Sequence, residues 1–249
     1  MPTSEATPTP SLGTPGGLLA EVCDALDAEL AALDAEGWSM PVFNGRTVRD
    51  LVIHLTVIND ALVDRLRDAD PTPVTRATLL EITDAPRKSL RALPDIEVLE
   101  AWRRSVAHLQ KCVDGARTVG WMGLSISTAD AITERAFETW ILANDIRHAI
   151  GRASLDPSAQ HLRVLCELAV QMLPLALAAH GCTHTGNLQL SLSGPGGGEW
   201  TVPLGSDDGD TTVQVCAAAR DLCLLMGQRI DPLDFAHTAR GDEAAATIA

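Results

Sequence analysis

Tyrosine is missing altogether, and with three Phe and five Trp the aromatics make up only 3% of the 249 residues. A core short of aromatic bulk is built from Leu, Val, Ile and Ala, which suits helix packing. Basic residues are also few: 19 Lys and Arg face 33 Asp and Glu, for a formal charge of −14. Such a chain repels phosphate backbones and anionic lipid on average, and no Lys/Arg cluster offsets the deficit. Neither nucleic acid nor a membrane is therefore an expected partner. The six cysteines, at 23, 112, 166, 182, 216 and 223, include no C-x-x-C pair and no metal-ligand spacing. They read as reduced, mostly buried thiols of a cytoplasmic protein. The first residues lack the basic start and apolar run of a secretion signal. The most apolar long stretch, 162–179, carries Arg163, Glu167 and Pro174, and reads as a core helix rather than a membrane span.

What remains is an ordinary globular composition, 46% apolar and 21% charged, with room for one large domain or two modest ones. Residues 1–17, rich in Pro, Thr, Ser and Gly, read as a flexible leader. Apolar residues at 18/19, 22, 26, 30 and 33 have a helical period, and Gly37 is expected to stop that helix. Thr47-Val48-Arg49-Asp50 has the form of a capping box and opens a second helix, whose face is Val48, Leu51, Leu55, Ile58, Leu62 and Leu66. Further helices are predicted near 76–92 and 95–114, then from Thr128 to Ile150 with Gly151 as the left-handed terminator. One more runs from after Asp156-Pro157 to about His180.

The texture then changes. Leu188, Leu190 and Leu192 alternate with polar residues, a Gly-Pro-Gly-Gly-Gly turn follows, and Glu199 to Val202 completes a hairpin. A third strand is predicted from Thr212 to Cys216, then a helix to Met226 ended by Gly227. The expected architecture is α+β: an antiparallel helix bundle over 18–155, a small α+β domain over 156–235, and a flexible tail over 236–249.

His54 sits between Leu51 and Ile58 at helical spacing, at the edge of the buried face. Glu134, Glu138 and Asp145 share one stripe of the helix over 128–150, with Leu142 in its middle. On pattern alone, a lone helix-edge histidine is more often structural than ligating, and an acidic stripe is usually solvated. Trp38, Trp102 and Trp140 read as core or pocket-wall residues, and Cys112 and Cys223 as small buried hydrophobes. His180 and His184 flank a Gly-Cys-Thr turn, with no further ligand nearby in sequence.

Three segments carry a resemblance. Residues 45–55, G-R-T-V-R-D-L-V-I-H-L, resemble the "W-T-V-R-D-V-V-A-H-L" helix of the mycothiol-dependent maleylpyruvate isomerase family. Residues 135–147, R-A-F-E-T-W-I-L-A-N-D-I-R, are similar to its "R-x-x-E-x-W-x-H-x-x-D" helix, and residues 219–229 to its small second domain. The similarity spans most of 18–230. It implies a DinB-like bundle in which one histidine of the second helix, with a Glu and a His four residues apart on a later helix, holds a divalent metal, usually zinc. Three protein ligands leave a position open for the thiol of mycothiol, which becomes a bound thiolate, adds to the double bond of a cis-diacid, permits rotation and leaves. Carried over to this chain, His54 and Glu138 are two of those ligands, and the third position holds Leu142. Glu134, Trp140 and Asp145 are candidate pocket residues. Asp145 lies about 10 Å along the helix from Glu138, an awkward replacement ligand.

The resemblance implies a thiol-dependent isomerase or transferase of small electrophilic metabolites, with a small-molecule thiol and substrate as partners. Leu142 supports a second reading: a non-catalytic, anti-sigma-type regulatory protein that kept the bundle, lost the metal and binds a protein partner.

Overall fold

The computed structural model describes residues 13–113, 117–181, 186–204 and 212–241. The chain divides into two compact units, one over Pro15–Pro157 and one formed by Met1–Thr14 with Ser158–Ala249. The first unit is a helix bundle, the fold class expected for the first part of the chain.

In the bundle, α1 (Pro15–Ala31) packs on α6 (Thr128–Ala149) and α5 (Asp95–Gln110), and α3 (Val48–Asp68) packs on α5 and α4 (Arg76–Arg91). The core is aliphatic, as the composition requires, with Leu18, Leu26, Leu51, Leu55, Leu62, Leu109 and Ile132 almost inaccessible to water. Trp102 and Trp121 are also fully buried. The Thr47 capping box forms as expected: its hydroxyl accepts from the Asp50 N–H, and the Asp50 carboxylate accepts from the Thr47 N–H.

Several expectations need correction. Pro15–Gly17 belong to the first turn of α1, where proline is tolerated because its N–H would be unpaired anyway; residues 1–12 of the expected leader lie outside the described residues. That helix ends at Ala31, before Gly37, which lies inside a separate short helix α2 (Ala35–Ser39) capped by Asp34. Two hairpins were missing from the sequence reading. β1 (Pro41–Phe43) and β2 (Arg46–Thr47) are joined at Asn44-Gly45, both with positive φ (49° and 72°), the turn chemistry that suits two-residue hairpins. β3 (Thr118–Trp121) and β4 (Leu124–Ser127) are joined at Met122-Gly123 in the same way. Each hairpin runs straight into a long helix, β2 into α3 and β4 into α6, and Ser127 caps α6 by accepting from the Asp130 N–H. Gly120 in β3 is required by space, because a Cβ there would stand 1.8 Å from the Thr72 carbonyl oxygen.

In the second unit, α7 (Ala159–Ala179) precedes a four-stranded sheet of order β6-β5-β7-β8. β5 (Gly186–Ser193) pairs antiparallel with β6 (Gly198–Leu204) and parallel with β7 (Thr212–Ala218). The helix α8 (Ala219–Met226) follows. The expected loose tail is ordered to residue 241: β8 (His237–Arg240) pairs antiparallel with β7, and Phe235 is buried. Four residues are too few to display a period, which hid this strand. Among the described residues, α7 is the one helix long and apolar enough to cross a membrane by length and composition. It buries His161, Leu162, Leu165 and Cys166, and Arg163 pairs with Glu167 and stacks 4.1 Å over the Trp200 ring.

Candidate functional site

α3 and α6 bring His54 and Glu138 together across 84 residues of sequence: His54 Nε2 lies 2.9 Å from Glu138 Oε1. The histidine side chain is 17% exposed and the glutamate 28%, so the pair sits at the rim of the core. Behind it stands Arg135, one turn earlier on α6 and wholly buried. Its Nη1 donates to the other Glu138 oxygen, and its Nε donates to Asn59 Oδ1 at 3.1 Å.

Asn59 in turn donates to the Ser105 hydroxyl at 3.2 Å, which donates to the Trp102 carbonyl at 2.8 Å. An unbroken polar chain therefore links α5, α3 and α6 through the core and emerges at His54. In a low-dielectric interior such a chain polarises along its length and fixes the orientation of its last member.

The electrostatics follow from these contacts. Burial works to raise the Glu138 pKa, but the Arg135 charge and the His54 hydrogen bond outweigh it and hold the carboxyl well below the usual range. An ionised carboxylate only accepts, so His54 Nε2 carries the donated hydrogen. Glu134 behaves oppositely. Burial raises its pKa, with Glu138 adding to the shift, despite Arg135 and the hydrogen bond from Trp121 Nε1 at 2.9 Å. Neighbouring carboxylates in different surroundings are thus pushed apart. Two polar atoms of the cluster, His54 Nδ1 and Arg135 Nη2, are buried without a hydrogen-bond partner. Cys23, near Arg135, has its thiol pushed up to about 12 by burial.

The other candidates are distributed differently. Leu142, one turn beyond Glu138, is buried. Trp140 donates to the Leu155 carbonyl at 3.0 Å and lines a separate cavity of about 110 Å³, bounded also by Leu26, Glu29, Asn144 and Pro157. Asp145 is half-buried, seven residues beyond Glu138 on α6. Among the described residues, no three His, Cys, Asp or Glu side chains converge as a metal-binding group. His180 is exposed and bonds its own helix at Ala176, while His184 lies outside the described residues.

In the sequence, Arg135 stands within the family-like motif with no role of its own. Its signal was the i, i+3 spacing to Glu138, which places the two on one helix face. Asn59 was also readable, as a polar residue at helical spacing between Leu55 and Leu62 on an otherwise apolar face. Trp121 had no signal, since its reach to Glu134 depends on the unpredicted hairpin.

Comparison with known proteins bears on the fold and the family. No curated protein gives a significant match. The solved structure of a mycothiol-dependent maleylpyruvate isomerase is 18% identical, with a TM-score of 0.61, over 90% of this chain and 91% of that one. A histidine-to-alanine variant under the same description is 17% identical, with the same TM-score and coverage. At that identity the likeness establishes the fold. The family model described as mycothiol maleylpyruvate isomerase N-terminal domain matches residues 19–147, from the first helix to the last turns of α6. The chain therefore belongs to the mycothiol maleylpyruvate isomerase N-terminal domain family.

Proposed function

We propose that this chain is a thiol-dependent isomerase or transferase of small electrophilic metabolites, that mycothiol is its thiol, and that His54 and Glu138 do the work without a tightly held divalent metal. The observation that carries the reading is the His54–Glu138 contact at 2.9 Å, with Arg135 fixing the carboxylate from behind. A histidine oriented by an ionised acid is the general arrangement for activating a weak nucleophile.

The donor set argues against a zinc centre. Catalytic zinc takes three protein ligands and keeps one position open. This chain supplies two candidates, His54 and Glu138, and both Glu138 oxygens are already engaged. Leu142, in the third position, has no lone pair to offer. The residues do not fit the group.

The chemistry then rests on the dyad. The incoming thiol gives its proton to His54 Nδ1, the ring nitrogen without a partner, while Nε2–H stays on Glu138. Nδ1 is covered in the resting chain, so this reading requires the ring edge to move before a thiol reaches it. The thiolate sulfur adds to a carbon–carbon double bond conjugated to a carbonyl, and the displaced electron pair rests on the carbonyl oxygen. Rotation about the new single bond follows. Collapse of the enolate expels the thiolate, which recovers its proton from His54. A transferase uses the same addition but protonates the adduct instead of expelling the thiol.

His54→Ala and Glu138→Gln should each lower mycothiol-dependent isomerisation of a cis-diacid by about 10²–10⁴-fold, the usual worth of a positioned acid or base. Unchanged turnover in both variants, with circular dichroism confirming the fold, would exclude the dyad.

One observation favours the second reading, a non-catalytic regulatory protein. Leu142 is 5% exposed, so the side chain at that ligand position belongs to the apolar core. Absence of thiol-dependent turnover, together with a stoichiometric complex with a defined protein partner, would favour it over the enzyme.

A further inference from the structure

Cys166 and Cys223 lie in the second unit, far along the chain from the dyad, and the proposed reaction uses neither. Cys166 projects from α7 and Cys223 from α8, both wholly buried. Their sulfur atoms are 3.5 Å apart across the packed faces of the two helices. A disulfide needs about 2.05 Å between sulfurs, so a relative shift of roughly 1.5 Å would close the bond. Helix α8 has only eight residues, and a helix that short is held by packing more than by its own hydrogen bonds. Both cysteines are inaccessible to water, so closing the bond and admitting a small reagent each require α8 to shift.

The pair is also chemically biased. The hydrogen bond from Cys223 lowers the Cys166 pKa, and the nearby Arg163 charge adds to this against the effect of burial. Arg163 is itself held in place by Glu167, by the Gly197 carbonyl and by the Trp200 ring. Thiolate character makes Cys166 the attacking sulfur.

We propose that Cys166 and Cys223 form a dithiol–disulfide pair, in which a peroxide closes an intrachain bond that staples α7 to α8. The Cys166 thiolate attacks one peroxide oxygen, the O–O bond breaks, and hydroxide leaves as water after taking a proton. The Cys223 sulfur then attacks the Cys166 sulfenic sulfur, the S–O bond breaks, and the departing hydroxide takes the Cys223 proton and leaves as a second water. Two thiols lose two electrons and two protons, and one peroxide becomes two waters. This inference stands independently of the isomerase reading.

The test treats the full-length folded protein with hydrogen peroxide, alkylates remaining thiols after denaturation, and maps peptides without reduction. The expected result is a peptide linking Cys166 to Cys223 that grows with dose and is lost on adding dithiothreitol. The thermal midpoint should rise on oxidation, and Cys223→Ser should abolish that rise. Recovery of both residues as alkylated thiols at doses that oxidise the exposed Cys216 would overturn the proposal. So would oxidation of either to a sulfinic acid without cross-link, or a disulfide joining either one to a different cysteine.

Discussion

Leu142→His should raise the affinity for zinc by more than about 100-fold, the upper range for the loss of a mere outer-shell partner in metal sites. Position 142 lies one turn beyond Glu138, so a histidine there would share the helix face that already presents the carboxylate to His54. The substitution supplies a third ligand, a nitrogen, to a pair that now offers one nitrogen and one oxygen. Glu138 would then exchange one of its present contacts for the metal, and His54 Nε2 would lose the hydrogen it now donates. Because the metal competes with protons for the imidazole nitrogens, binding should tighten as pH rises. The reverse control is His54→Ala in the Leu142→His background, which should return zinc binding to the level of the parent. Isothermal titration of metal-stripped proteins reads both effects. Equal zinc affinity in the parent and in Leu142→His would mean that the leucine is not what limits the site.

Arg135→Ala should destabilise the bundle by about 3–5 kcal/mol, the cost of stripping a buried charge of its partner. For a chain of this size that corresponds to a fall in thermal midpoint of roughly 6–20 °C. The guanidinium is inaccessible to water and serves Glu138, Glu134 and Asn59 together, so its loss removes the cation both carboxylates face and the donor to the Asn59 amide oxygen. Arg135→Lys keeps the charge but forfeits the simultaneous bonds to Asn59 and Glu138, and should fall between the two.

The pH dependence carries a sign that distinguishes this account from simple loss of packing. In the parent chain the Glu138 pKa is depressed, chiefly by Arg135 and His54 against burial. Its contribution is complete above the unfolded value of about 4.3 and disappears as pH falls through the lower folded value. Glu134 has a raised pKa, so its contribution is present below that unfolded value and is lost as pH rises through its folded one. Without Arg135, burial acts on Glu138 unopposed by its main cation, and its carboxyl should move upward. The deficit of Arg135→Ala should therefore be largest near neutrality and should narrow as the pH approaches about 4 to 5. A deficit independent of pH would point to a packing defect alone.

Much of this architecture was readable from the residues because local signals and tertiary packing agreed. Thr47 and Asp50 announce the start of α3, Gly151 its counterpart at the end of α6 with a φ of 73°, and the alternation at 188–192 gives β5. The meeting of His54 and Glu138 was legible only through the family-like motifs, since nothing in either helix alone says which other helix it will face. Asn44-Gly45 was a usable hairpin signal that went unread, whereas Met122-Gly123 is a weaker one: methionine gains nothing from a left-handed turn, and the strands on either side supply the reason for it. Arg135 was hidden for a different cause. A charged residue in a polar-looking stripe is ordinarily placed in solvent, and only the three-dimensional arrangement of Asn59, Glu134 and Glu138 makes its burial tolerable.

Mycothiol-dependent turnover of a cis-diacid, measured on the parent protein before and after exhaustive chelation with metal-free buffers, tests the proposed site most directly. A metal-free dyad predicts the same rate in both samples, and the same dependence on His54. A rate that collapses on stripping and returns on adding zinc would contradict it, and would mean that a ligand outside His54 and Glu138 completes a working metal centre.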